Sequence, residues 1–161
     1  MFNGPNGNIG TATLSNIYPH AGQPSDPFKA AKVRELVIHC ELHLELVARQ
    51  LYPQAFFGGK VSEATKERVH ALLVQGIASF AKLTKFKPFI AGPQFTLADC
   101  AAIVHLPLIA SVGKLMYGED LFAALPVTDY LRAMAERPTV KTVNADRKIN
   151  TELMLAGRLT K

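Results

Sequence analysis

Phe95-Thr96-Leu97-Ala98-Asp99 runs straight into Cys100-Ala101-Ala102-Ile103-Val104. Thr96 is placed to cap a helix, because its hydroxyl can accept a backbone N–H of the first turn that otherwise lacks a partner. Asp99, three residues on, can reach back to the N–H of Thr96, and its charge suits the positive end of the helix dipole. Phe95 just outside and Cys100 just inside hold the two positions of a hydrophobic staple. The box follows Ile90-Ala91-Gly92-Pro93-Gln94 and precedes an apolar stretch that reaches Leu106, Leu108 and Ile109. A helix that is apolar nearly all round belongs in the centre of a bundle. Thr96 and Asp99 therefore read as structural capping residues, worth about 0.5–2 kcal/mol. Pro107 should kink the helix or break it locally.

Outward from this helix the pattern stays helical. Asp26 and Pro27 make a capped start, and Val33, Leu36, Val37, Cys40, Leu44, Val47 and Leu51 then recur at steps of three and four. Tyr52-Pro53 should end that long helix, with a turn at Phe56-Phe57-Gly58-Gly59. Ser62 starts a second long helix carrying Val69, Leu72, Leu73, Ile77, Phe80 and Leu83, closed by Lys87-Pro88-Phe89. A further helix is expected within Leu121 to Met134, another from Pro138 through Val140 and Val143, and a short terminal one near Glu152 to Leu155. Strand patterning is absent. The predicted fold is all-α, with two long antiparallel helices and a buried, N-capped central helix.

The chain has 161 residues, enough for one domain with a single core. Residues 1–23 read as a flexible Asn/Gly-rich segment, beginning Asn3-Gly4-Pro5-Asn6-Gly7-Asn8, and residues 24–161 as the helical domain. The net charge of +5 is spread over Lys29, Lys32 and Arg34, then Lys82, Lys85 and Lys87, then Lys141, Arg147 and Lys148. Charge spread in this way marks a solvated face, so nucleic acid is not the expected partner. No apolar run approaches a membrane span and no signal peptide opens the chain, so no membrane role is expected. The two cysteines, Cys40 and Cys100, fall on apolar faces of predicted helices and read as buried core thiols. Without a disulfide framework, a reducing cytoplasm is the natural compartment.

His39 and His43 stand four apart on the first long helix, so their rings project from one face. Such a pair can share a metal ion, with Glu35 or Cys40 assisting. The order His-Cys-Glu-Leu-His is not the zinc-protease His-Glu-x-x-His, and no third histidine stands at a helpful spacing, so no metal is expected. His105, inside the apolar helix, reads as a satisfied core histidine. No Gly-rich phosphate loop, Ser/His/Asp order or CxxC pair is present.

Three stretches together resemble one family. The capped segment from Ile90 to Val104 is similar to the central helix of the glutathione transferase C-terminal domain. Asp26-Pro27-Phe28-Lys29-Ala30-Ala31-Lys32-Val33-Arg34-Glu35-Leu36 looks like the opening of that domain's first helix, and Leu131 to Val140, with its Arg137-Pro138 pair, like its late helices. The resemblance covers roughly residues 24 to 150. It implies that glutathione is the co-substrate, held and activated by an N-terminal thioredoxin-like domain that residues 1–23 are too short to form. Thr13 to Pro19 would then be the exit of that domain's last helix. Glu41-Leu42-His43 is similar to a stretch of the bacterial beta class in which the histidine faces the active-site cleft. This implies a substrate-binding role for His43, with Val47 one turn on as an apolar wall and His39 beside it. Where the beta class has lysine after that histidine, this chain has Leu44. The helical domain would line the site of a small electrophilic substrate, in a homodimer or beside a thioredoxin-like partner domain. A non-catalytic protein-interaction module of the same fold is the alternative.

Overall fold

The computed structural model describes residues 22–159, which divide into two compact units at Ala123 and Ala124. Among the described residues there is no strand, and a lone bridge pairs Phe89 with Gly92. The expectations placed on residues 1–21, including Thr13 to Pro19, lie outside the described residues.

The first unit opens with α1, Pro27–Ile38, capped by Asp26, whose carboxylate accepts the N–H of Lys29 at 2.7 Å. The backbone then widens into a π-helix over His39–Glu45, where Leu46 donates to the carbonyl of Glu41, five residues back. It continues as α2 (Leu46–Ala48), a 3-10 turn (Arg49–Leu51) and α3 (Tyr52–Phe57). Residues 27–57 thus form one long helical rod. Tyr52-Pro53 does not end it: Pro53 falls in the first turn of α3, where its missing N–H has no intrahelical partner to lose. Gly58, at φ 67°, supplies the left-handed stop.

Ser62 caps α4, Glu63–Leu83, by accepting the N–H of Thr65 at 3.2 Å. The central helix α5 spans Leu97–Tyr117 and runs unbroken through Pro107, so of the kink or local break expected there the break does not occur. The hydroxyl of Ser111 donates to the Pro107 carbonyl at 2.9 Å, one turn on. Gly118 ends the helix at φ 72°. The central helix packs on α1 and on the π-helix, and the π-helix packs on α4. Cys40, Leu44, Leu51, Val69, Leu73, Phe80, Leu106 and Ile109 are fully buried in this core.

Helix α5 is long and apolar enough, by length and composition, to cross a membrane. The sequence hid this because Asp99, His105 and Lys114 interrupt the apolar run, while the surrounding Ala, Ile, Leu and Val residues keep its mean high. Its buried Ala98, Asp99, Ala102, Leu106, Ile109 and Val112 place it in the core of the unit. Cys40 is buried as expected, but Cys100 is exposed. His105 is half-buried, and its Nδ1 has no hydrogen-bond partner among the described residues, so it is not the satisfied core histidine the sequence suggested.

The second unit holds α6, Val127–Ala135, and α7, Pro138–Leu159, which pack on each other. Helix α6 lies within the Leu121 to Met134 stretch expected to hold a helix but for its last residue, Ala135, and it starts directly after Pro126. Helix α7 is continuous to Leu159, so no separate terminal helix forms near Glu152.

Candidate functional site

The start of the central helix is tied down on three sides. Asp99 is fully buried; one carboxylate oxygen accepts the N–H of Thr96 at 2.8 Å and the other accepts the N–H of Ile90 at 2.9 Å. The N–H of Leu97 goes to the carbonyl of Gly22 at 2.8 Å. The bonds from Thr96 and Leu97 satisfy donors at the helix start, and the bond from Ile90 ties the preceding connection to it. The same carboxylate fixes the 84–95 connection, whose backbone also closes through Lys85 N–H to the carbonyl of Ile90 at 2.8 Å. Thr96 and Asp99 thus hold the frame against which the first rod is set.

An open groove of about 640 Å³ runs along the N-terminal half of that rod. Its floor and walls come from Phe28, Ala31, Lys32, Glu35, Ile38 and Arg34 of α1, from His39 and His43 of the π-helix, and from Leu83 at the end of α4. The wider π turn brings residues four apart more nearly above one another, and the rings of His39 and His43 sit 5.0 Å apart, tilted by 35°. His39 also stacks on Phe80 at 6.0 Å. Its Nε2 donates to the carbonyl of Gly76 at 2.9 Å, so the ring is oriented by the second helix. Gly76 permits that approach: a Cβ there would lie 2.7 Å from the His43 carbonyl. His43 itself is exposed to the groove.

Val47 is half-buried and is not among the residues lining this groove. The structure therefore brings together two of the three residues singled out for binding. Phe28, Lys32, Arg34, Ile38 and Leu83 were not singled out at all. The steps from Phe28 to Lys32, Glu35 and His39 repeat at four, three and four, a one-face pattern present in the sequence, where Lys32 and Arg34 read only as part of a solvated charged face. Phe28 is 72% exposed, and the ammonium of Lys32 stands 5.8 Å from its ring centre.

Two other polar clusters went unread. Glu45 is buried and accepts both Nε and Nη2 of Arg49, at 3.0 and 2.9 Å, together with the hydroxyl of Tyr52 at 3.3 Å. Burial, then the Glu45 charge, raises the Tyr52 phenol, which stays a donor. A second groove, of about 500 Å³, lies between α4 and the end of α5. There His70 hydrogen-bonds Glu119, its ring meets Tyr117 edge-on at 4.6 Å, and Tyr117 donates to the Lys66 carbonyl at 2.8 Å. Burial raises the Tyr117 phenol, with a further push from Glu119. Among the described residues no group of three or more His, Cys, Asp or Glu side chains could hold a metal ion.

The Cys40 thiol is pushed up to about 12 by burial, with Glu41 adding to it, so it is no nucleophile near neutrality. The first groove is left as the place where aromatic, cationic and imidazole groups face open space together. It can stack a flat apolar ligand and hydrogen-bond it.

The chain is 39% identical, over 126 residues, to a protein from Pseudomonas putida named glutathione S-transferase. The match covers 78% of this chain and 57% of that protein, so the chain spans little more than half the length of its relative. No protein-family model matches.

Proposed function

We propose, on the premise that this chain is related in sequence and in helical fold to the glutathione S-transferases, that it supplies the electrophile-binding wall of a glutathione conjugation site. The observation that carries this reading is the paired His39 and His43 rings, 5.0 Å apart, at one groove of the first rod. In the proposed reaction a glutathione thiolate attacks an electrophilic carbon, a C–S bond forms, and the leaving group departs with its electron pair. A thioredoxin-like domain would bind glutathione and lower its thiol pKa. The chain's own share is to orient the electrophile through Phe28, His39 and His43, with Val47 further along the rod. Detoxification in the cytoplasm is the setting that fits this chemistry.

A homodimer is the assembly we propose. Leu42 and Leu46 stand four apart along the rod, outside the groove lining, and are 52% and 49% exposed, an apolar ridge that a second copy would cover. The same ridge favours the second reading, a non-catalytic docking module for another protein.

The test is a titration of the full chain with ortho-chloronitrobenzene, an uncharged aryl electrophile, followed by amide NMR shifts. Shifts centred on residues 28–43 and weakened by His43→Ala support the electrophile wall. Unmoved groove amides would leave the docking module as the surviving reading.

A further inference from the structure

Resting on that reading, we infer that the groove of the first rod selects an aromatic electrophile carrying an anionic group, with Arg34 as the residue that sets the preference. The groove holds three cation-bearing or carboxylate side chains besides its imidazoles. Lys32 and Glu35 meet at 2.7 Å and neutralise each other. The Arg34 guanidinium is oriented at 3.0 Å by the amide oxygen of Gln23, a neutral group, and no carboxylate pairs with it among the described residues. Arg34 therefore contributes an uncancelled positive charge to a lining that already presents the exposed Phe28 ring and the His39 and His43 rings.

An aryl ring can lie against Phe28 and the imidazoles, where offset or edge contacts stabilise it. A carboxylate on that ring can then take two parallel N–H donors from the guanidinium fork, which suits planar anions better than a lysine does. The groove is open to water, so the preference is modest and salt-sensitive. The second groove offers no comparable free cation among the described residues, since Lys66 is paired with Glu63 and Glu67 adds a negative charge to its lining.

The experiment compares chloronitrobenzoate with its uncharged carboxamide in amide NMR titrations of the full chain, with glutathione alone as a third ligand. At low salt the carboxylate should bind about three- to fivefold more tightly than the carboxamide. The difference should vanish in Arg34→Gln and in high salt, and persist in part in Arg34→Lys. Phe28→Ala should weaken both aryl ligands alike. Equal binding of the two aryl ligands in the groove overturns the anionic preference and leaves the electrophile wall standing. Groove amides that respond to neither overturn the wall, and the inference with it. Glutathione alone moving the Arg34 amide, with that response lost in Arg34→Gln, assigns the anion to the tripeptide and overturns the inference. Arg34 is exposed, so the variant should keep the amide dispersion of the folded chain.

Discussion

Asp99 holds Ile90 as well as its own helix, taking the Ile90 N–H at 2.9 Å with one oxygen while the other takes that of Thr96 at 2.8 Å. A side chain that serves one cap is replaceable at modest cost. This one is fully buried and joins the central helix to the connection that precedes it.

Asp99→Ala should therefore destabilise the chain by about 2–4 kcal/mol, since two buried N–H groups lose their partner. Thr96→Ala removes only the local hydroxyl and should cost about 1 kcal/mol. Urea unfolding of both variants checks the ratio. Equal, small losses would mean that Ile90 does not depend on Asp99.

Gly76→Ala offers a case where local propensity and packing oppose each other. Alanine favours a helix interior over glycine by about 1 kcal/mol. Here the new Cβ would stand 2.7 Å from the His43 carbonyl and 3.0 Å from Leu44 Cδ2. Backbone cannot swing aside as a flexible side chain can, so overpacking should win by about 1–2 kcal/mol net. Thermal unfolding of Gly76→Ala above the wild-type midpoint would contradict the close helix approach.

The two cysteines should separate cleanly in a thiol assay. Cys100 is exposed and Cys40 is fully buried with its thiol raised to about 12. Iodoacetamide near pH 8 should modify Cys100 alone in the native chain, and Cys40 only after unfolding. The raised pKa also fixes a sign. The folded state holds the Cys40 proton more tightly than the unfolded chain, whose ordinary value is 9.0. The resulting stability is complete below pH 9 and is lost as pH rises towards 12. Rapid double alkylation of native protein would place Cys40 at the surface.

The apolar ridge makes a prediction about assembly. Leu42→Glu, at a position 52% exposed, should leave the fold intact and shift sedimentation from dimer to monomer. A wild-type chain that sediments as a monomer at all concentrations would remove the homodimer from the proposal.

What the sequence disclosed tracks how local each feature is. The Thr96–Asp99 box is four residues long and could be read at once, whereas the Ile90 partner lies nine residues before Asp99 and could not. The stripe from Val33 to Leu51 gave the core face, but the π-helix at His39–Glu45 leaves no mark on a pattern of threes and fours. The prolines read unevenly. Pro53 enters the rod at a first turn, where its missing N–H has no carbonyl to serve, whereas Pro107 stands in the interior of α5, which carries on through it. Of the site, the histidine pair was legible from spacing alone. Arg34 and Phe28 were not, since an exposed cation and an exposed aromatic acquire meaning only from what faces them.

His39 and His43 offer the sharpest comparison, because they share a groove and differ in what holds them. His39 donates to the Gly76 carbonyl at 2.9 Å and stacks on Phe80, while His43 is exposed. His39→Ala should lose about 0.5–1.5 kcal/mol of stability for the hydrogen bond, with a further loss for the stacked ring. His43→Ala should stay within about 0.5 kcal/mol of wild type, as exposed substitutions do. Binding of an uncharged aryl electrophile should fall in both, in His43→Ala by direct loss of a stacking face and in His39→Ala because its neighbour is no longer buttressed. His39→Gln, which keeps a donor towards Gly76, should recover part of the stability without recovering the ring contact. A His43→Ala variant that unfolds early but binds normally would reverse the assignment, making His43 the packing residue and His39 the one that meets the ligand.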